Sequence, residues 1–247
     1  METLRAVTFD CWNTLIHERS FEPARRLRVA AVCDLCGEAG RPVSRETAVE
    51  WIAAAHARHI ALWDQGEGTW ASDMAEWVMA SGGIDEPDLT ARLGRHFEEA
   101  GLASEIEALP GAREALASLA ERGIRLALVC DTGFSSGRIV REYLRRVGML
   151  DPLEVLIFSD EVRVPKPHPR MFEAALAALG VEPRHAIHVG DLRRTDVGGA
   201  RAFGMRTVRI RATNDDRSEL PDADWVTDSH AEILGIVDRQ LSAASRP

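Results

Sequence analysis

The 247-residue sequence has few cysteines, no long apolar run and a shortage of positive charge. Each shortage excludes something. Four cysteines (Cys11, Cys33, Cys36 and Cys130) in a chain this long do not make the disulfide framework of a small secreted domain, so a cytoplasmic protein is expected. No segment approaches the roughly 20 consecutive apolar residues that cross a bilayer, so no membrane partner is expected. The opening residues Met1-Glu2-Thr3-Leu4-Arg5 lack the apolar stretch of a secretory signal. The formal net charge of −9 argues against a nucleic-acid partner, which requires a basic face to displace counterions from phosphates. A small phosphorylated ligand stays open, because a few local cations decide that. With 45% hydrophobic and 28% charged residues, the composition is that of a globular protein.

The chain changes texture twice. Leu4 to Phe9 is a short apolar run, read as a buried parallel strand, and it ends abruptly in Asp10-Cys11-Trp12-Asn13. From about Phe21 to Leu102 only helical periodicity is present. Helices are predicted over Pro23–Glu38, Ser44–Gln65, Trp70–Ser81 and Glu86–Ala100, with glycine-containing breaks between them. Beyond Leu109-Pro110-Gly111 helices and strands alternate. Strands are expected at Arg125–Cys130, Val155–Phe158, Ala186–Val189, Arg206–Ile210 and Asp224–Thr227. The intervening helices are Ala112–Arg122, Ser136–Val147, Pro169–Leu179 and Asp196–Phe203, with His230–Leu241 closing the chain. Such alternation implies an α/β fold: a Rossmann-like, doubly wound parallel sheet with an inserted all-helical cap domain. The expected boundaries are 1–17 and 103–247 for the core and 18–102 for the cap.

In open α/β sheets, ligands bind beyond the carboxyl ends of the strands. Asp10 ends the first of these strands, Cys130-Asp131-Thr132 the second, and Gly190-Asp191 the fourth, with Asp196 five residues further on. Lys166 lies between them in the extended stretch Val164-Pro165-Lys166-Pro167. Carboxylates converging on one crevice repel each other unless a cation joins them. Hard oxygen donors suit Mg²⁺, which is the expected cofactor. Lys166 adds a compact point charge that screens Asp10 and meets a substrate oxyanion.

These residues resemble the haloacid dehalogenase (HAD) superfamily. The resemblance is carried by Phe9-Asp10-Cys11-Trp12-Asn13-Thr14-Leu15, by Val129-Cys130-Asp131-Thr132-Gly133, by Val164-Pro165-Lys166-Pro167-His168-Pro169 with Phe172, and by His188-Val189-Gly190-Asp191-Leu192-Arg193-Arg194-Thr195-Asp196. It covers Phe9 to about Val226. The position of the helical insertion resembles members with a C1-type cap. The resemblance implies that Asp10 is a nucleophile forming a covalent aspartyl intermediate. It also implies that Asp10, Asp191 and the backbone carbonyl of Trp12 bind Mg²⁺, that Asp196 supports the metal from behind, and that Lys166 is the catalytic lysine.

Two departures qualify the implied reaction. Phosphatases of the family usually carry an acid–base Asp two residues after the nucleophile. Here Trp12 stands there, and its indole N–H only donates a hydrogen bond. His17 and Glu18 are the nearest replacement acids. In the second motif Cys130-Asp131 replaces Ser/Thr-Asn, which leaves Thr132 and the Gly133 backbone, with Trp12 and Arg193, as the expected substrate-binding groups. The expected function is Mg²⁺-dependent hydrolysis of a small phosphorylated metabolite by a monomer or homodimer. The alternatives are a 2-haloacid dehalogenase-like C–X hydrolase, since those enzymes place an aromatic Tyr at the Trp12 position, and a weakly active or non-catalytic binding protein. Cys33-x-x-Cys36, His56-x-x-His59 and the tryptophans Trp51, Trp63, Trp70 and Trp77 are read as helix packing.

Overall fold

Val7 and Phe9 have no solvent exposure, and every position of β1 (Ala6–Phe9) is buried, as the centre of a parallel sheet requires. A computed structural model describes residues 3–244; the expected core bounds at 1–2 and 245–247 lie outside the described residues. After β1 come β2 (Ile16–Ser20) and, beyond the helical insertion, β3 (Glu105–Ala108). The remaining strands are β4 (Arg125–Cys130), β5 (Val155–Phe158), β6 (Ala186–Gly190), β7 (Arg206–Ile210) and β8 (Trp225–Thr227). Six strands form one sheet in the order β5-β4-β1-β6-β7-β8, with every neighbouring pair parallel. From β1 the chain winds outward through β4 and β5, then crosses back to β6 on the other side of β1. The point where the winding reverses is therefore flanked by the ends of β1, β4 and β6. That is where doubly wound sheets bind ligands.

Helices join the strands: α5 (Ala112–Glu121), α6 (Gly137–Arg146), the short α7 (Ser159–Val162), α8 (Pro169–Leu179), α9 (Gly199–Ala202) and α10 (His230–Ala244). Pro169 starts α8, where its missing N–H costs nothing, and Gly180 ends it in the left-handed conformation at φ 59°. The buried face of α8 (Met171, Phe172, Ala175, Leu176, Leu179) packs with Ala127, Val129 and Ala186 of the sheet. This is the core that fixes the strand ends.

Four helices, α1 (Glu22–Glu38), α2 (Arg45–Asp64), α3 (Ala71–Ser81) and α4 (Pro87–Ala100), make a second hydrophobic core. Its centre is Val32, Leu35, Cys36, Met74, Val78, Leu93 and Phe97, with Trp51 and Trp77 packed against it. Ser44 caps α2 by accepting the Thr47 N–H at 3.2 Å. All four cysteines are free thiols.

Contacts divide the chain into Met1–His17, Glu107–Asp131 and Leu144–Pro247 as one unit, and Glu18–Ile106 with Thr132–Tyr143 as the other. The expected boundaries place 103–247 whole in the core. The structure instead joins Thr132–Tyr143 to the helical unit, because Phe134 packs edge-on against Phe97 at 5.4 Å and the Tyr143 hydroxyl donates to the Gly101 carbonyl at 2.7 Å.

Candidate active site

Asp10 follows the last residue of β1 and is only 6% exposed; its N–H donates to the Val189 carbonyl of β6 at 2.8 Å. Asp191 follows β6 and is equally buried. Lys166 lies in the stretch between α7 and α8. Its side chain is 2% exposed, and its Nζ donates to Asp10 Oδ1 at 2.6 Å and to Asp196 Oδ1 at 2.7 Å. Its backbone N–H donates to Asp131 Oδ1 at 2.9 Å. The carboxylate that looked out of place in the second motif thus positions the loop carrying Lys166.

Asp196 is held on every side. It sits in a π-helical turn, Arg193–Gly198, where the Val197 N–H reaches back to the Leu192 carbonyl at 3.1 Å. Such turns are uncommon and recur at functional sites. Asp196 Oδ2 accepts the Leu192 N–H at 3.0 Å, and Oδ1 is also 3.3 Å from His188 Nε2. His188 Nδ1 lies 2.7 Å from the Thr8 hydroxyl. An ionised Asp196 can only accept, so Nε2 of His188 carries its proton and Nδ1 accepts from Thr8. Gly190 makes room for this arrangement. A Cβ at position 190 would fall 2.3 Å from Asp196 Cγ.

One ligand oxygen from each of Asp10, Asp191 and Asp196 lies within 4.8 Å of the others. Burial pushes Asp10 up to about 6, against the pull of Lys166. Burial and the charges of Asp10 and Asp196 push Asp191 up to about 8. Burial also disfavours the Asp196 carboxylate, but Lys166 and His188 outweigh it and hold Asp196 well below the usual carboxylate range. Burial alone would lower Lys166, yet Asp10, Asp196 and Asp131 hold it well above the ordinary lysine value. One ammonium therefore faces four carboxylates, and the excess negative charge falls on Asp10 and Asp191. A buried oxygen-only donor set with that imbalance fits a hard divalent cation such as Mg²⁺.

The other expected site residues are placed differently. Trp12 is half-buried, and its backbone pairs with Ile16 in the turn after β1. Arg193 does not join the acidic cluster. Its guanidinium donates to the Ser218 carbonyl at 2.5 Å, the Leu220 carbonyl at 3.2 Å and Asp222 at 2.9 Å, so it fastens the segment after β7. Thr132 and Gly133 belong to the helical unit, where Gly133 lies against the His59 ring. Burial raises the Cys130 thiol well above its ordinary value, so it stays protonated. The sequence names His188 only as part of the last motif and gives no sign of Asn214, whose Nδ2 donates to Asp191 Oδ2 at 2.7 Å. A histidine inside an apolar strand was the available signal for the first; nothing marked the second.

The chain belongs to the haloacid dehalogenase-like hydrolase family, whose model matches residues 4–204. It is a hydrolase of that family. It is 30% identical to a glyceraldehyde 3-phosphate phosphatase of Methanopyrus kandleri over 97% of this chain and 99% of the relative. It is 27% identical to (S)-2-haloacid dehalogenase 1 of a Pseudomonas species, over 87% of each. A crystal structure of a HAD phosphatase from Thermococcus onnurineus superposes with a TM-score of 0.65 at 26% identity, covering 95% of this chain and 98% of that one.

Proposed function

We propose that this hydrolase is an Mg²⁺-dependent phosphatase acting on a small phosphorylated metabolite, with Asp10 as nucleophile. The observation that carries the reading is the buried group of Asp10, Asp191 and Asp196 around the Lys166 ammonium. Asp10 and Asp191, with the Trp12 carbonyl, would hold Mg²⁺, and Asp196, whose two oxygens are already engaged, supports from behind. The bound ion supplies positive charge to the phosphoryl oxygens. Lys166 keeps Asp10 Oδ1 fixed, so the second oxygen of Asp10 is the one that adds to phosphorus as the bond to the leaving oxygen breaks. Water then attacks phosphorus and returns Asp10 to its carboxylate.

Trp12 cannot protonate the leaving oxygen. The favoured substrates are those whose leaving group departs with little protonation. The Methanopyrus and Thermococcus relatives support phosphoryl over carbon–halogen chemistry. The helical unit is read as a C1-type cap from its place in the chain between the first two motifs.

A dehalogenase is the second reading, favoured by the aromatic residue at position 12 and the Pseudomonas relative. The clustering of Asp191 with Asp10 and Asp196 weighs against it, since a metal-free displacement leaves these mutually repelling carboxylates with no cation beyond Lys166. An aryl phosphate decides the matter. The expected result is Mg²⁺-dependent turnover that Asp10→Asn abolishes. Metal-independent halide release from a 2-haloacid would establish the second reading, and no turnover of either would mark a non-catalytic binding protein.

A further inference from the structure

We infer that Thr213 and Asn214, on the segment following β7, are positioning residues that aim the metal-binding groups of the site. The inference rests on the reading of Asp191 and the Trp12 carbonyl as metal ligands. Asn214 Nδ2 donates to Asp191 Oδ2 at 2.7 Å, which leaves the other Asp191 oxygen to face the ion. One residue earlier, the Thr213 hydroxyl donates to the Asn13 carbonyl at 3.1 Å. Asn13 is one of two non-glycine residues described with positive φ (58°), and it directly follows Trp12. Two adjacent side chains therefore brace the two strand-end turns, after β1 and after β6, that would bind the cation.

A segment without regular structure can brace a site only if it is itself fixed. Residues 211–224 are fixed by arginine. Arg209, 2% exposed at the end of β7, donates to Asp222 Oδ1 at 2.7 Å, Asp222 Oδ2 at 2.9 Å and Asp215 Oδ1 at 3.0 Å. The Arg193 backbone N–H donates to Asp216 Oδ2 at 2.6 Å, and its guanidinium takes Ser218, Leu220 and Asp222. Arg211 pairs with both oxygens of Asp228. Charge-assisted, multidentate bonds of this kind hold geometry as well as energy. Asn214 is the amide in the run Asn214-Asp215-Asp216, so it brings a donor to Asp191 where either neighbour would bring another carboxylate.

Groups behind metal ligands typically set affinity by 10- to 100-fold, about the loss expected here. The test is calorimetric titration of Mg²⁺, and of Mn²⁺ as a second probe, into the metal-free full chain. Asn214→Leu should weaken binding by about that factor while the thermal midpoint of the metal-free protein stays at the wild-type value. Thr213→Val, at an exposed position, should weaken it several-fold and carries the test if Asn214→Leu does not fold. Arg217→Gln, on the same segment with an 88% exposed side chain, should leave it unchanged. Wild-type binding with unaltered affinity in both variants overturns this inference alone. Failure of the wild-type chain to bind either ion overturns the metal reading and this inference with it.

Discussion

Lys166 Nζ lies 2.6 Å from Asp10 Oδ1, and Lys166 is the only lysine among the 247 residues. A chain that uses arginine for every other permanently cationic side chain keeps an ammonium here. A guanidinium is larger and presents a planar fork, whereas an ammonium is compact enough to fit between two carboxylates. Lys166→Met should lower kcat by about 10²–10³, the usual cost of losing one group aimed at developing charge. It also leaves Asp10 and Asp196 buried without their partner, which typically costs about 3–5 kcal/mol. Urea denaturation of the metal-free variant checks the second figure. Lys166→Arg should not rescue either property.

Asp10 and Asp191 titrate at about 6 and about 8, against an ordinary value of 3.8. A carboxyl whose pKa is raised on folding stabilises the fold fully below its unfolded pKa and loses that contribution as pH rises through the folded value. Metal-free protein should therefore lose stability between about pH 4 and pH 8. Divalent binding must displace those protons, so Mg²⁺ affinity should rise with pH and level off above about 8. Thermal melts across this range, with and without Mg²⁺, should diverge as pH rises. Parallel curves would show that the cation does not sit on these carboxyls.

Trp12 occupies the place where an exchangeable proton is missing. Trp12→Asp should accelerate hydrolysis of alkyl phosphates, whose leaving oxygen needs protonation, by up to about 10²–10⁴. Aryl phosphates should change little. Comparing the two classes in one variant separates acid catalysis from altered packing. Equal effects on both would remove the leaving-group argument.

Gly190→Ala tests the seat of Asp196. The added methyl would collide with Asp196 Cγ and Cβ, at 2.3 and 2.4 Å, and must displace that side chain. Overpacking of this kind costs about 1–3 kcal/mol. Metal affinity should fall in the same variant, because Lys166 and the 193–198 turn both depend on Asp196.

Much of this arrangement was legible in the sequence, for a physical reason. Short apolar runs that stop at Asp10 and Asp191 announce buried strands whose ends point into a common crevice, and Pro169 announces the helix behind Lys166. The structure brings Asp10, Lys166, Asp191 and Asp196 together there. Strands β2 and β3, which pair as a separate two-stranded sheet, were not legible: Ile-His-Glu-Arg-Ser and Glu-Ile-Glu-Ala carry too little apolar character to read as strands. The helix expected from Asp196 begins instead as the π-helical turn 193–198, because Asp196 must reach both Lys166 and the Leu192 N–H. Arg193 and Asn214 were misjudged and missed respectively because their partners lie more than 20 positions away, Asp222 for one and Asp191 for the other. Sequence periodicity carries no trace of such a closure.

Asp10 is proposed to take the phosphoryl group. Single-turnover reaction with an aryl phosphate in Mg²⁺, quenched in acid and digested, tests it by peptide mass spectrometry. The expected result is a phosphoryl group on the peptide carrying Asp10 at early times, lost as inorganic phosphate accumulates and never formed by Asp10→Asn. Turnover that proceeds with Asp10 unmodified at every time, or that survives Asp10→Asn, would contradict it.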